Sequence, residues 1–307
     1  MSQRFRTSRR ALMAAAATAA LTLALAACGT GTGSGSGSGS GKHAGHGSTP
    51  SSSAPGHDMA SMPGMEPASS GNGLAAAKDG YRMTSTAATL PAGEASTYRF
   101  TITGPDGKPV TGFAVDQTKR MHFYAVRSDL TGFQHLHPTM AGNGTWSAPL
   151  AALRPGTWRL YTSFTPDSGS GKGKGLVLSR TVTVPGMAMT TALPKVSGTT
   201  TADGYTVAVK GDLMAGMAHQ LTATVTKDGK PVTDLQPYLD TYAHLTAFHQ
   251  GDLAFAHLHP ESKADGGHGG PTLTFHAEFT QSGNWRLFLQ FQTGGTLHTA
   301  ALTLRVG

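Results

Sequence analysis

The sequence predicts an all-β protein: two tandem Ig-like antiparallel β-sandwich domains after a signal peptide and a disordered tether. Three observations predict it. Aromatic and β-branched residues alternate with period two over residues 98–103, 121–127, 157–164 and 176–184, the pattern of strands with one buried face. Turn signals separate these runs, among them Gly104-Pro105-Asp106-Gly107 and Arg154-Pro155-Gly156, and no segment sustains a helical period. The second half of the chain then repeats the first. Asp79-Gly80-Tyr81 returns as Asp203-Gly204-Tyr205, Asp106-Gly107-Lys108-Pro109-Val110-Thr111 as Asp228-Gly229-Lys230-Pro231-Val232-Thr233, and Gly156-Thr157-Trp158-Arg159-Leu160-Tyr161 as Gly283-Asn284-Trp285-Arg286-Leu287-Phe288. Agreement over that length is duplication.

Residues 1–27 read as an export signal. Arg4, Arg6, Arg9 and Arg10 precede an apolar run that is short for a membrane span. The run ends Leu25-Ala26-Ala27-Cys28, which resembles the lipobox of bacterial lipoproteins; that resemblance implies cleavage before Cys28 and acylation of it. Ser8-Arg9-Arg10-Ala11-Leu12 also resembles a twin-arginine signal, so the export route stays open. Cys28 is the only cysteine. With lipid on it, the folded part has no thiol, which excludes disulfides, cysteine nucleophiles, thiolate zinc sites, iron–sulfur clusters and type 1 copper. The leader holds four arginines and no acid, so without it the formal net charge falls from +7 to +3. Without them nothing basic or aromatic enough remains to suggest nucleic acid.

Residues 28–73 form the expected tether. A Gly/Ser repeat is followed by His43, His46, His57, Met59, Met62 and Met65 among Gly, Ser and Pro. Such a segment cannot bury a core. Imidazole and thioether ligands suit copper, so it is a candidate mobile metal-binding arm.

Residues 74–186 are the first β-sandwich repeat and 187–307 the second, each of ordinary domain size. The tetrapeptide His-Leu-His-Pro occurs in both, as His135-Leu136-His137-Pro138 and His257-Leu258-His259-Pro260. On a strand, positions i and i+2 share a face, so the two imidazoles stand side by side and the proline ends the ladder. His122 and His244 lie thirteen residues upstream of the first histidine of each motif. Each repeat thus offers three nitrogen donors: His122, His135 and His137, then His244, His257 and His259, with His298 as a fourth in the second. No carboxylate keeps fixed spacing to these triads, which disfavours oxygen-seeking ions, and the methionine arm favours copper over zinc. His219, His249 and His276 are expected to be structural, His268 solvated, and Met214 and Met217 to fill gaps in the core. Met187 and Met189 could extend the methionine supply.

Met121-His122-Phe123, Asp129-Leu130, Phe133-Gln134-His135-Leu136-His137-Pro138 and the Gly156 hexapeptide together resemble a poorly described group of secreted actinobacterial β-domain proteins. The second copy departs at Ala243-His244-Leu245, which lacks the methionine. Members of that group are labelled heavy-metal-binding or merely secreted, so the resemblance implies the fold more firmly than a role. The motif is also similar to the His-x-His elements of multicopper oxidases, but those need four such elements and a cysteine bridge.

Three functions follow as expectations. The first is a non-enzymatic copper-binding lipoprotein on the outer face of the cytoplasmic membrane, buffering the metal or exchanging it with a donor or acceptor protein. The second is a three-histidine zinc enzyme, because His-x-His plus a neighbouring-strand histidine resembles carbonic anhydrase ligation. The third is an adhesion or partner-binding module whose histidines are structural.

Overall fold

The computed structural model describes residues 71–307, apart from the side chain of His257. The leader, Cys28 and the tether residues His43, His46, His57, Met59, Met62 and Met65 lie outside the described residues.

In the first repeat the strands are β1 (Ala77–Lys78), β2 (Tyr81–Thr84), β3 (Ser96–Thr103), β4 (His122–Arg127), β5 (Phe133–Leu136), β6 (Thr139–Met140), β7 (Thr145–Leu150), β8 (Gly156–Phe164) and β9 (Leu176–Val184). They form two antiparallel sheets, β1-β2-β3-β7-β6 and β5-β4-β8-β9. The second repeat carries β10 (Thr199–Ala202), β11 (Tyr205–Lys210), β12 (Ala218–Lys227), β13 (Lys230–Pro231), β14 (Ala243–His249), β15 (Phe255–Pro260), β16 (Thr272–Glu278), β17 (Gly283–Thr293) and β18 (Thr296–Val306). The only helical piece among the described residues is a 3-10 turn at Gly169–Gly171. The chain is therefore an internally repeated all-β protein of two Ig-like sandwiches. The duplicated Asp-Gly pairs make its tight turns: Asp79 and Gly80 have φ of 50° and 83°, and Asp203 and Gly204 have 50° and 81°. Two successive positive φ angles define the hairpin turn whose twist matches the strands it joins.

The His-Leu-His-Pro segment is the corner where the chain passes from one sheet of each sandwich to the other. In the first repeat, Phe133–Leu136 pairs with β4, and Thr139–Met140 then pairs with β7 in the opposite sheet. In the second repeat β15 runs through without a break. It pairs with β14 from Phe255 to Leu258, then with β16 at His259 and Pro260, joining both sheets into one.

Alternation along β4 explains where the histidines point. Phe123 and Ala125 enter the core of the first sandwich with Tyr98, Phe100 and Trp146. His122, Tyr124 and Val126 must then face outward. They are buried nonetheless, because the second repeat covers that face. On β14, Ala243, Leu245 and Ala247 enter the second core, while His244, Thr246 and Phe248 turn to the same junction. A third apolar cluster fills it, built from Tyr124, Val126, Tyr161, Phe248, Phe255 and Phe288 with smaller neighbours. The packing is reciprocal. Phe133 stacks on Phe288 with centroids 4.1 Å apart, and its counterpart Phe255 lies 5.9 Å from Tyr161, the counterpart of Phe288. Sheets buried on both faces read as unbroken apolar runs, which is why β4 shows no polar alternation.

Met214 and Met217 do not fill the core as expected. They are 51% and 57% exposed, because the loop ahead of β12 lifts them away from the sandwich.

Candidate metal centre at the junction of the repeats

The junction gathers histidines from both repeats. One ring nitrogen each from His122, His135 and His137 falls within 4.8 Å of the others. The side-by-side placement expected for His-x-His is seen directly, with the rings of His135 and His137 4.8 Å apart. His122 joins them because it sits beside Tyr124, whose strand partner is His135.

The tautomers follow from the partners. His122 Nε2 lies 3.2 Å from the backbone oxygen of Asp116, which can only accept, so Nε2 carries the proton and donates. His135 Nδ1 donates to Gln290 Oε1 at 2.7 Å, and Gln290 Nε2 in turn donates to Thr299 Oγ1. The remaining nitrogens, His122 Nδ1 and His135 Nε2, lie 3.1 Å apart, within hydrogen-bonding distance, and the tautomers decide which of them donates. His137 Nε2 is buried and has no hydrogen-bond partner among the described residues.

Burial discourages protons here. It lowers the affinity of His122 for a proton, against a smaller opposing pull from Asp116. Burial and then the neighbouring His122 and His137 hold His135 well below the ordinary imidazole value. His137 is lowered to about 3 by burial, with His122 and Lys119 adding to it. The Tyr124 phenol is driven up by burial and stays protonated. The rings are therefore neutral bases at neutral pH, the form a metal ion takes.

His244 reaches the same junction in a different role. Its Nδ1 donates to Gln117 Oε1 at 2.8 Å, and its Nε2 accepts from the Tyr124 hydroxyl at 3.1 Å. Its ring lies parallel to His122, with an interplanar angle of 2° and centroids 5.6 Å apart, and stacks on His135 at 4.6 Å. The backbone of His257 pairs with Thr246, and its side chain lies outside the described residues. His259 is paired across strands with His276 and is lowered by burial, with the Asp116 charge opposing. The repeats thus approach through Asp116, whose charge acts on His122, Tyr124 and His259. His298 stands elsewhere, held between Asp203 at 2.9 Å and Thr293 at 3.0 Å. His249 bonds Asp252 at 2.8 Å, and His219 Nε2 accepts from the Met214 amide.

Sequence reasoning missed Tyr124, Gln117, Gln290 and the Asp116 carbonyl. Tyr124 could have been found, because it lies two residues from His122 on the same strand face. The two glutamines and the Asp116 carbonyl are brought in by packing and leave no spacing signal.

A family model described as "Domain of unknown function (DUF8832)" matches residues 75–184 and again 200–307. The chain belongs to that family. It consists of two tandem copies of the DUF8832 domain. No curated protein matches the sequence. Among solved structures, InvD of Yersinia pseudotuberculosis is similar at 14% identity and a TM-score of 0.25, over 75% of this chain and 58% of that one. FdeC, an Escherichia coli adhesin, is 15% identical with a TM-score of 0.24, over 75% of this chain and 65% of that one. The chain spans less than two thirds of either. The Ig1-2 module of the Drosophila receptor tyrosine phosphatase DLAR is 8% identical with a TM-score of 0.21, over 74% of this chain and 98% of that one.

Proposed function

We propose that this DUF8832 protein is a lipid-anchored, extracytoplasmic copper-binding protein that buffers the ion or exchanges it with a donor or acceptor protein. His122, His135 and His137 hold the metal, and His244 of the second repeat stacks on His122 and His135. The observation that carries this reading is the convergence of one ring nitrogen each from His122, His135 and His137 within 4.8 Å, with His137 Nε2 buried and without a hydrogen-bond partner among the described residues. Ligands about 2.0–2.1 Å from one ion sit at most about 4.2 Å apart, so the triad needs only a sub-ångström contraction.

The other contacts support holding an ion over turning over a substrate. Among the described residues, the groups bonded to the rings are two amides, a phenol and a backbone carbonyl, and none of these is a base at neutral pH. They do what outer partners of metal-bound histidines do, fixing tautomer and ring orientation. An all-nitrogen set suits zinc as well as copper. Copper is favoured by the thioethers the chain leaves in solvent, at Met187, Met189, Met214 and Met217. The lipobox-like Leu25-Ala26-Ala27-Cys28 supports attachment at the outer face of the cytoplasmic membrane.

Titration of the purified chain with copper tests the reading. Binding of about one ion per chain, lost in His135→Ala and His137→Ala variants that keep the wild-type circular dichroism, is the expected result. Absence of binding at micromolar protein would remove it. A partner-binding module with structural histidines would then stand, recognised by a melting temperature that metal does not raise.

A further inference from the structure

We propose that the open edge of β5 is a docking groove for a short, uncharged, glycine-containing segment of a partner protein, held by a backbone hydrogen bond at Phe133. This goes beyond the metal reading and holds whether or not the triad takes an ion.

The inference begins with register. Val126 opposes Phe133, and the Arg127 amide bonds the Gly132 carbonyl at 3.0 Å. In an antiparallel ladder that pattern makes Val126 and Phe133 a non-hydrogen-bonded pair, so the Phe133 amide and carbonyl point away from β4. The second repeat has the same register: Phe248 opposes Phe255, and the His249 amide bonds the Ala254 carbonyl at 2.9 Å. There the outward amide is used. Phe255 donates to the carbonyl of Asn72 at 2.8 Å. The chain around Asn72 passes between β15 and β9 and bends at Gly71 and Gly73, whose φ angles are 130° and 67°. The Ser179 amide bonds the Ala75 carbonyl at 2.9 Å and the Ser179 hydroxyl bonds the Gly73 carbonyl at 2.6 Å.

On the other side of the junction the matching place is a cleft of about 510 Å³. The residues that hold Gly73 are Val177, Phe255, Tyr161 and Ser179. Their counterparts by duplication and register are Thr299, Phe133, Phe288 and Ala301, and all four line the cleft. β5 is the edge of its sheet, and no described segment pairs with the Phe133 amide. The linker between the repeats passes beside it, with Leu193 packed against the junction cluster alongside Phe133 and Ala301 and the Ser197 amide bonded to the Thr303 carbonyl, but no linker residue lines the cleft.

The filled groove tells what the open one accepts. Its occupant presents a carbonyl to the phenylalanine amide and a residue without a side chain to the aromatic pair. A Cβ on Gly73 would come within 2.8 Å of Val177 Cγ1. The open cleft has no charged residue in its lining, so a neutral segment fits and a charged one would lose its hydration. The cleft continues the interface between the repeats, so a segment there extends an established contact.

The test uses the full chain without metal and, as probe, the acetylated peptide Gly-Asn-Gly-Leu-Ala-Ala-Ala, the sequence of residues 71–77. Saturable binding is expected, with hydrogen exchange at the Phe133 amide slowed about tenfold or more. Thr299→Trp and Ala151→Trp, at exposed rim positions on opposite repeats, should each weaken binding about tenfold without disturbing the fold. No saturation at millimolar peptide, or equal binding by both variants, would overturn the proposal. So would a Phe133 amide already slow in the full chain alone, since another part of the same chain would then fill the groove.

Discussion

Gln290 on β17 accepts the Nδ1 proton of His135 on β5 at 2.7 Å, a hydrogen bond that crosses from the second repeat to the first. It decides which nitrogen of His135 faces His122. Gln290→Leu removes that control while keeping much of the side-chain volume. Copper affinity is expected to fall about 10–100-fold, the usual cost of losing a partner behind a metal-bound histidine. Competition against a chelator of known affinity measures it. An unchanged affinity would show that the bond serves packing alone.

The metal-free protein should lose stability in acid. Burial lowers His122 and His135 and takes His137 to about 3. In the unfolded chain such rings titrate near ~6.5. The folded values are depressed, so below ~6.5 the unfolded state binds more protons than the folded state does. Stability from these rings is therefore complete above ~6.5 and drains away as pH falls towards 3. Melting curves between about pH 8 and pH 4 test this, with His137→Ala as the control that flattens part of the slope. A melting temperature independent of pH in that range would contradict the burial of neutral imidazoles.

Phe248 is fully buried between the repeats, against Tyr124, Tyr161, Phe255 and Phe288. Phe248→Ala should cost about 3–5 kcal/mol, the range for a large aromatic removed from a packed core. Chemical denaturation reads the loss. A change below about 1 kcal/mol would mean that the junction collapses around the gap.

His298 gives a negative control for the metal centre. Its two nitrogens are bonded to Asp203 and Thr293, and its ring packs on Tyr205 at 4.7 Å. His298→Ala is expected to lower the melting temperature and leave the copper stoichiometry as it was. A lost ion in that variant would move the centre towards β18.

Much of the fold is legible in the residues. The runs at 98–103, 121–127, 157–164 and 176–184 became β3, β4, β8 and β9 because period-two alternation and glycine turns act locally. The histidine spacing is also legible. His135 and His137 stand together because they are two residues apart where β5 ends and the chain turns to the opposite sheet, and His122 follows from pairing with the next strand. The surroundings of the rings are not legible. Gln290 lies 155 residues from His135, and Gln117 lies 127 from His244, so nothing in their local sequence points to either ring. Met214 and Met217 mislead for a related reason: an apolar side chain in a loop carries no periodicity to say which way it turns.

The sequence alone determined the strands, their duplication and the grouping of imidazoles in the first copy, since backbone geometry sets all three within a few residues. Only the tertiary structure decided that the two histidine faces meet, so that His122 stacks on His244 across the junction. That choice depends on apolar surface shared between distant strands, with Phe133 on Phe288 and Tyr124 beside Phe255. Burial between large surfaces is non-directional and leaves no pattern in any single segment.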